Sequence, residues 1–246
     1  MLLARPRGSA EGPSTLAPMS NRSLAIVAAV GALLFVVLFA VGFAIQPTHA
    51  PDSNDPPLKI ATYAANHRSV LLTSEFLIAC GVMPFLLLLG ALYRLMRGAE
   101  GPGGWLSMTM LAAGVLSGAV FIAAIAVLTT ISYRPIQSPG VLRMLLDAGY
   151  IMLNIGGIAG GVFIAAVSAS ALLTRFVGVW VGWLGAPVAA LQVVAGGALA
   201  RGDGPFSPQG LIPLVAAAAF GAWALLLALA LALSARSAAR AAPAPA

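Results

Sequence analysis

Six apolar runs, each long enough to cross a bilayer, leave this chain few folds to adopt. A helix needs about 20 apolar residues to span the hydrocarbon layer. The runs cover residues 24–45, 69–93, 105–131, 142–173, 177–200 and 211–234. Glu75 interrupts the second and Asp147 the fourth. In lipid every backbone N–H and C=O has to be paired inside the segment, so runs of this length are helices. Composition agrees. Only 8% of the 246 residues are charged and 60% are hydrophobic, against about 25% charge in a soluble domain. A water-covered globule is excluded, and so is a disordered chain, which requires low hydrophobicity. The expectation is an all-α polytopic integral membrane protein. Its domain is a six-transmembrane-helix bundle over 24–235, flanked by disordered cytoplasmic tails at 1–23 and 236–246.

Charge placement sets the expected orientation. With the N-terminus inside, the cytoplasmic segments hold Arg5, Arg7, Arg22, Arg94, Arg97, Arg175, Arg236 and Arg240. The outer segments hold Lys59, Arg68, Arg134, Arg143 and Arg201. Basic residues favour the cytoplasm, which predicts both termini inside and a multi-pass protein of the cytoplasmic (inner) membrane. Tyr93, Trp105, Trp180 and Trp183 form the expected inner aromatic belt, with Tyr133 at the outer one. The basic residues stand singly and make no face, so nucleic acid is not an expected partner.

The first run follows Arg5, Arg7 and Arg22, as a signal peptide would. Its length exceeds the 7–15 residues of a signal h-region, so it reads as an uncleaved span, with Met19 an alternative start. The outer loop 46–68 begins with Pro47, Pro51, Pro56 and Pro57, which forbid a helix there. Leu58, Ala61, Ala65 and Leu72 then share a helical face and predict a short interfacial helix leading into the second span.

Small residues form stripes in three spans. Gly114 and Gly118 do so in the third; Gly157 and Gly161 in the fourth; Gly178, Gly182 and Gly185 in the fifth. Helices in lipid associate through such small faces, so these glycines are expected to be packing positions. Pro84 and Pro187 predict kinks in the second and fifth spans.

One polar cluster is expected. Glu75 lies about 9 Å inside the outer end of its span, Asp147 at a similar depth, and Gln192 about 12 Å from the outer end of the fifth. Tyr150 and Asn154 continue the Asp147 face. Charged groups at such depth usually face the bundle interior and have partners. Two readings stay open. The five residues form an outward-facing pocket, or Asp147 pairs with Arg143 and Glu75 with Arg68 or His67 as structural ion pairs.

Other chemistries lack their residues. His49 and His67, the two histidines, both lie in the outer loop, so haem ligation within the spans and serine–histidine hydrolysis have no support. Neither an HExxH motif nor a clustered set of metal ligands occurs, and Cys80 is a lone cysteine. No metal, cofactor or catalytic residue is expected, and the chain is not expected to be an enzyme.

Three stretches carry a family resemblance: IATYAANHRSVLLTSEFLIACGVMPFLLLLGALYRLM from Ile60, LLDAGYIMLNIGG from Leu145, and WVGWLGAPVAALQ from Trp180. They resemble a family of uncharacterised actinobacterial six-helix integral membrane proteins, grouped as a domain of unknown function (4386-like), over roughly residues 50–235. The resemblance implies the six-helix fold and no catalytic residue. The function expected from all these features is a non-enzymatic accessory or interaction protein. Its expected partners are the lipid bilayer, other membrane proteins or a second copy of itself. The alternative is a small-solute or proton-coupled permease using the cluster around Glu75 and Asp147.

Overall fold

The structure, a computed structural model, describes residues 19–51, 55–134, 138–200 and 204–241. The tail segments 1–18 and 242–246 of the sequence reading lie outside the described residues. Among those described, every regular element is helical. The helices are α1 (Asn21–Ala44), α2 (Pro57–Asn66), α3 (Arg68–Cys80), α4 (Val82–Glu100), α5 (Leu106–Tyr133), α6 (Pro139–Thr174), α7 (Val179–Gly196) and α8 (Leu211–Ala241). Helices α3 and α4 together make one span, Arg68–Glu100, and with α1, α5, α6, α7 and α8 they give six helices able to cross a membrane. This is an all-α, multi-pass membrane protein.

The sequence explains most boundaries. Ser20 caps α1 by accepting a hydrogen bond from the Ser23 backbone N–H at 3.1 Å. Proline opens α2 and α6 at the first helical position, where its missing N–H costs nothing. Pro84 cannot donate to the Cys80 carbonyl, and the second span is interrupted one turn earlier, at Gly81. Pro187 sits inside α7 without breaking it. Helix α7 ends at Gly196, and a 3₁₀ turn continues over Gly197–Ala200.

Several boundaries differ from the sequence reading: α1 begins at Asn21 rather than 24, and the second span runs on to Glu100 rather than 93. The last helix runs to Ala241 rather than stopping at 234, so 236–241 is helix and not tail. The stretch is rich in alanine, the strongest helix former, and needs no neighbour to continue the helix. The outer helix α2 is separated from α3 at His67 and does not run into the span.

Each span packs on its neighbours in the chain. α1 packs on α3 and α4, α4 on α5, α5 on α6, α6 on α7, and α7 on α8, which returns to α1 and closes a ring. Aromatic rings from four of the spans meet inside it. Phe35 of α1 lies 5.1 Å from Phe85 of α4, and Phe85 lies 5.7 Å from Phe163 of α6. Phe163 lies 6.3 Å from Phe220 of α8, and Phe220 lies 5.9 Å from Phe35. Trp223 joins this set, edge-on to Phe163 at 6.0 Å, and its indole N–H donates to the Val181 carbonyl of α7 at 3.2 Å. Such tilted and edge-to-face pairs add to the gain from packing alone. The interior of the ring is therefore a packed aromatic core.

The glycine stripes resolve into specific contacts. A Cβ on Gly161 would stand 3.1 Å from the Ala189 carbonyl oxygen, and one on Gly182 would stand 2.8 Å from that of Ser168. Gly185 faces the Ser168 hydroxyl and the Trp223 ring, Gly114 faces Leu89 and Phe163, and Gly157 faces Gln192. Gly118 has ordinary contact with Phe85 at 3.6 Å. Gly178 differs from the rest, because it precedes α7 and meets the side chain of Trp180, two residues on. A further close approach of two helix backbones involves Gly31 of α1, which lies on none of these stripes. A Cβ there would lie 2.8 Å from the Pro84 carbonyl oxygen and 2.9 Å from the Leu88 nitrogen of α4.

Candidate functional site

The five polar residues expected to converge fall into four separate environments. Glu75 of α3 is buried, at 8% exposure, and its Oε1 accepts a hydrogen bond from Ser132 Oγ of α5 at 3.2 Å. Its neighbour Ser74 faces the other way and donates to the Gly42 carbonyl of α1 at 2.8 Å, while Gln46 donates to Ser74 Oγ at 2.9 Å. Glu75 thus sits on the α3–α5 seam.

Asn154 and Gln192 occupy a different seam, one turn apart around Gly157. Asn154 Nδ2 donates to the Tyr150 carbonyl at 2.8 Å and to the Pro208 carbonyl at 3.2 Å, tying α6 to the segment before α8. Gln192 Nε2 donates to the Ala216 carbonyl at 2.9 Å, tying α7 to α8. These buried amides are satisfied and hold helices together. Tyr150 is half-buried and packs on the cluster of Ile60, Ala64, Ile131, Leu142 and Leu146, which seats α2 on α5 and α6.

Asp147 is exposed. It shares an outward stripe of α6 with Met144 and Ile151, whereas Asn154, Gly161 and Ser168 face inward. Two physical causes separate residues that the seven-residue spacing places together. A straight helix drifts by ~20° per heptad, so three heptads turn Asp147 well away from Ser168. In addition, Gly196, the last residue of α7, packs against Ile158, so α6 continues past the end of its neighbour toward Asp147. Sixteen residues separate Asp147 from Phe163 in the aromatic core, about 24 Å along the helix. That exceeds the roughly 15 Å half-thickness of the hydrocarbon.

The alternative ion pairs do not form either. The Arg68 guanidinium donates to the Tyr133 carbonyl at 2.9 Å and lies 5.9 Å from the Tyr133 ring centre. Arg143 reaches the Asp55 backbone carbonyl at 3.4 Å. Among the described residues the salt bridge is Lys59–Asp55, at 2.8 Å on the surface.

One polar site escaped the sequence reading. Glu100, at the end of α4, accepts from the Ser107 backbone N–H of α5 at 3.2 Å and from Ser170 Oγ of α6 at 3.0 Å. Arg97 donates to the Gly104 and Pro102 carbonyls of the same turn. A carboxylate at a helix N-terminus satisfies free N–H groups and meets the positive end of the helix dipole. The signal was present as an acid seven residues before Ser107 across Gly-Pro-Gly-Gly. Its partner Ser170, seventy positions on, was not inferable from spacing.

The outer helix α2 carries an exposed concavity along Pro56, Lys59, Tyr63 and His67. The Tyr63 hydroxyl donates to the Pro47 carbonyl at 2.9 Å, and burial raises the pKa of the phenol. Compared with protein-family models, curated proteins and solved structures, the chain matches none.

Proposed function

We propose that this chain is a non-enzymatic accessory or interaction protein of the cytoplasmic membrane, with both termini on the cytoplasmic side. The observation that carries the reading is the closed core. Phe35, Phe85, Phe163 and Phe220 contact one another in sequence around the interior of the helical ring. A solute route needs polar groups or water along its length. Here the buried amides of Asn154 and Gln192 and the indole of Trp223 are spent on carbonyls that join helices.

Asp147 supports an interaction role, since it projects from α6 between Met144 and Ile151, where a partner's cationic group can reach it. The orientation rests on charge. One end of the ring holds Arg22, Arg94, Arg97, Arg175 and Arg236, and the other Lys59, Arg68, Arg134 and Arg143. The resemblance to the actinobacterial domain-of-unknown-function family belongs to the same proposal and adds no activity to it.

A second reading, a proton-coupled or small-solute permease, is favoured by one observation: the buried Glu75 carboxylate keeps an oxygen without a hydrogen-bond partner. Flux decides between the two. Purified protein in liposomes loaded with a pH-sensitive dye is expected to pass protons no faster than empty liposomes. Protein-dependent flux that Glu75→Gln abolishes would overturn the accessory reading.

A further inference from the structure

Glu75 Oε2 is buried and has no hydrogen-bond partner, although Oε1 is held by Ser132. The Thr129 hydroxyl lies beside the same carboxylate; it donates to the Ile125 carbonyl at 2.7 Å, which leaves its oxygen free to accept a cation. No cation is in ion-pair contact with Glu75 among the described residues. The charged or titratable groups at this end are His49 and Asp55 before α2, Lys59 and Tyr63 on α2, His67 at the α2–α3 junction, Arg68 on α3, Tyr133 and Arg134 at the end of α5, and Arg143, Asp147 and Tyr150 on α6. Neither α1 nor α4 brings one here. Lys59 is paired with Asp55, Arg68 is engaged by Tyr133, and Arg143 bonds to the Asp55 backbone.

A second observation lies alongside. A cavity of about 20 Å³ separates Ala61, Ala64 and Ala65 of α2 from Ile131 and Ser132 of α5. That volume holds one water molecule. Ser132 therefore touches both the cavity and the carboxylate, and Arg68, exposed at the surface, lines the same cavity.

We propose that Glu75, with Ser132 and Thr129, binds one small monovalent cation, a proton or a sodium ion, that enters beneath α2 through this cavity. A carboxylate removed from water and left without a counter-charge is strongly disfavoured, so a bound cation completes the site. One carboxylate and two hydroxyls are hard oxygen donors. Their single negative charge neutralises a monovalent ion and would leave a divalent one in excess. No group of three His, Cys, Asp or Glu suited to a multivalent metal occurs among the described residues. The site stands whether or not the chain moves a solute, because occupancy requires access from one side only.

The test is the stability of the full-length protein in detergent micelles, read by reversible unfolding. One arm varies pH from 5 to 8 at fixed sodium. The other exchanges sodium chloride for choline chloride at fixed pH and ionic strength. A cation bound by the folded state alone raises the folding constant by up to tenfold for each tenfold rise in its activity. Dependence on pH alone identifies the proton, and dependence on sodium identifies the metal ion. Either dependence is expected to vanish in Glu75→Gln and to persist in His67→Gln. A wild-type protein insensitive to both cations overturns the proposal, as does an unchanged dependence in Glu75→Gln or its loss in His67→Gln. Should Glu75→Gln not fold, Ser132→Ala decides: a shifted titration midpoint supports the site, and an unchanged one overturns it.

Discussion

Replacing Gly31 with alanine adds one methyl group where two helix backbones meet. The new Cβ would lie 2.8 Å from the Pro84 carbonyl oxygen, 2.9 Å from the Leu88 nitrogen and 3.3 Å from the Leu88 Cα. All three atoms belong to the backbone of α4, so no side-chain rotation relieves the contact. Restoring ordinary contact requires α1 and α4 to part by about half an ångström, which disturbs the packed layer containing Phe35 and Phe85. Overpacking of this kind costs about 1–3 kcal/mol, a loss of roughly 5- to 150-fold in the folding constant.

The matched control is Gly90→Ala on α4, the facing helix, where a Cβ meets nothing within 4 Å. Helix propensity alone makes that change neutral or stabilising, by up to about 1 kcal/mol. Unfolding in mixed micelles by titration with a denaturing detergent, followed by circular dichroism, measures both. If Gly31→Ala proves as stable as Gly90→Ala, α1 and α4 do not approach at Gly31, and the close packing of the first two spans on one another is wrong.

Other expectations follow from the same contacts. Trp223→Phe keeps an aromatic ring in the core but removes the indole hydrogen bond to the Val181 carbonyl, which retains its helical partner; a loss of about 0.5–1.5 kcal/mol is expected in the same unfolding assay. Glu100→Ala removes the carboxylate bonded to Ser107 and Ser170. It is expected to cost about 1 kcal/mol and to raise amide hydrogen exchange at the start of α5, with no change at α2. Tyr63 donates to Pro47, and its pKa is raised by burial, so its contribution is present below the ordinary phenol range and is lost as pH rises through the folded value. Hydrogen-exchange protection in α2, taken relative to the unstructured rate at the same pH, should therefore fall at strongly alkaline pH in the wild type and already at neutral pH in Tyr63→Phe. A fluorescent protein fused after Ala246, of a kind that matures only in the cytoplasm, should fluoresce; a dark fusion would refute the proposed orientation.

The sequence by itself determined the class of fold and the number of spans. Lipid cannot satisfy backbone polar groups, so an apolar run of 20 or more residues has one regular solution, and that solution is local. That Gly182 and Gly185 share one face of their helix was legible for a related reason, since stripes on one helix follow from its pitch. Tertiary structure decided everything that depends on which helices meet. Asp147 and Asn154 share a stripe in sequence, yet one is exposed and the other bonds to Pro208, because α7 ends before it reaches Asp147. Glu75 has Ser132 as its partner and not Arg68, and Glu100 gains Ser170 from across the bundle. The aromatic core has the same origin: Phe35, Phe85, Phe163 and Phe220 occur far apart in the chain, and nothing local requires them to share a layer. Hydropathy and helical pitch are properties of neighbouring residues. Partner choice in a ring of six helices depends on where each helix stops and how closely its neighbours approach, and that information appears only once the chain is folded.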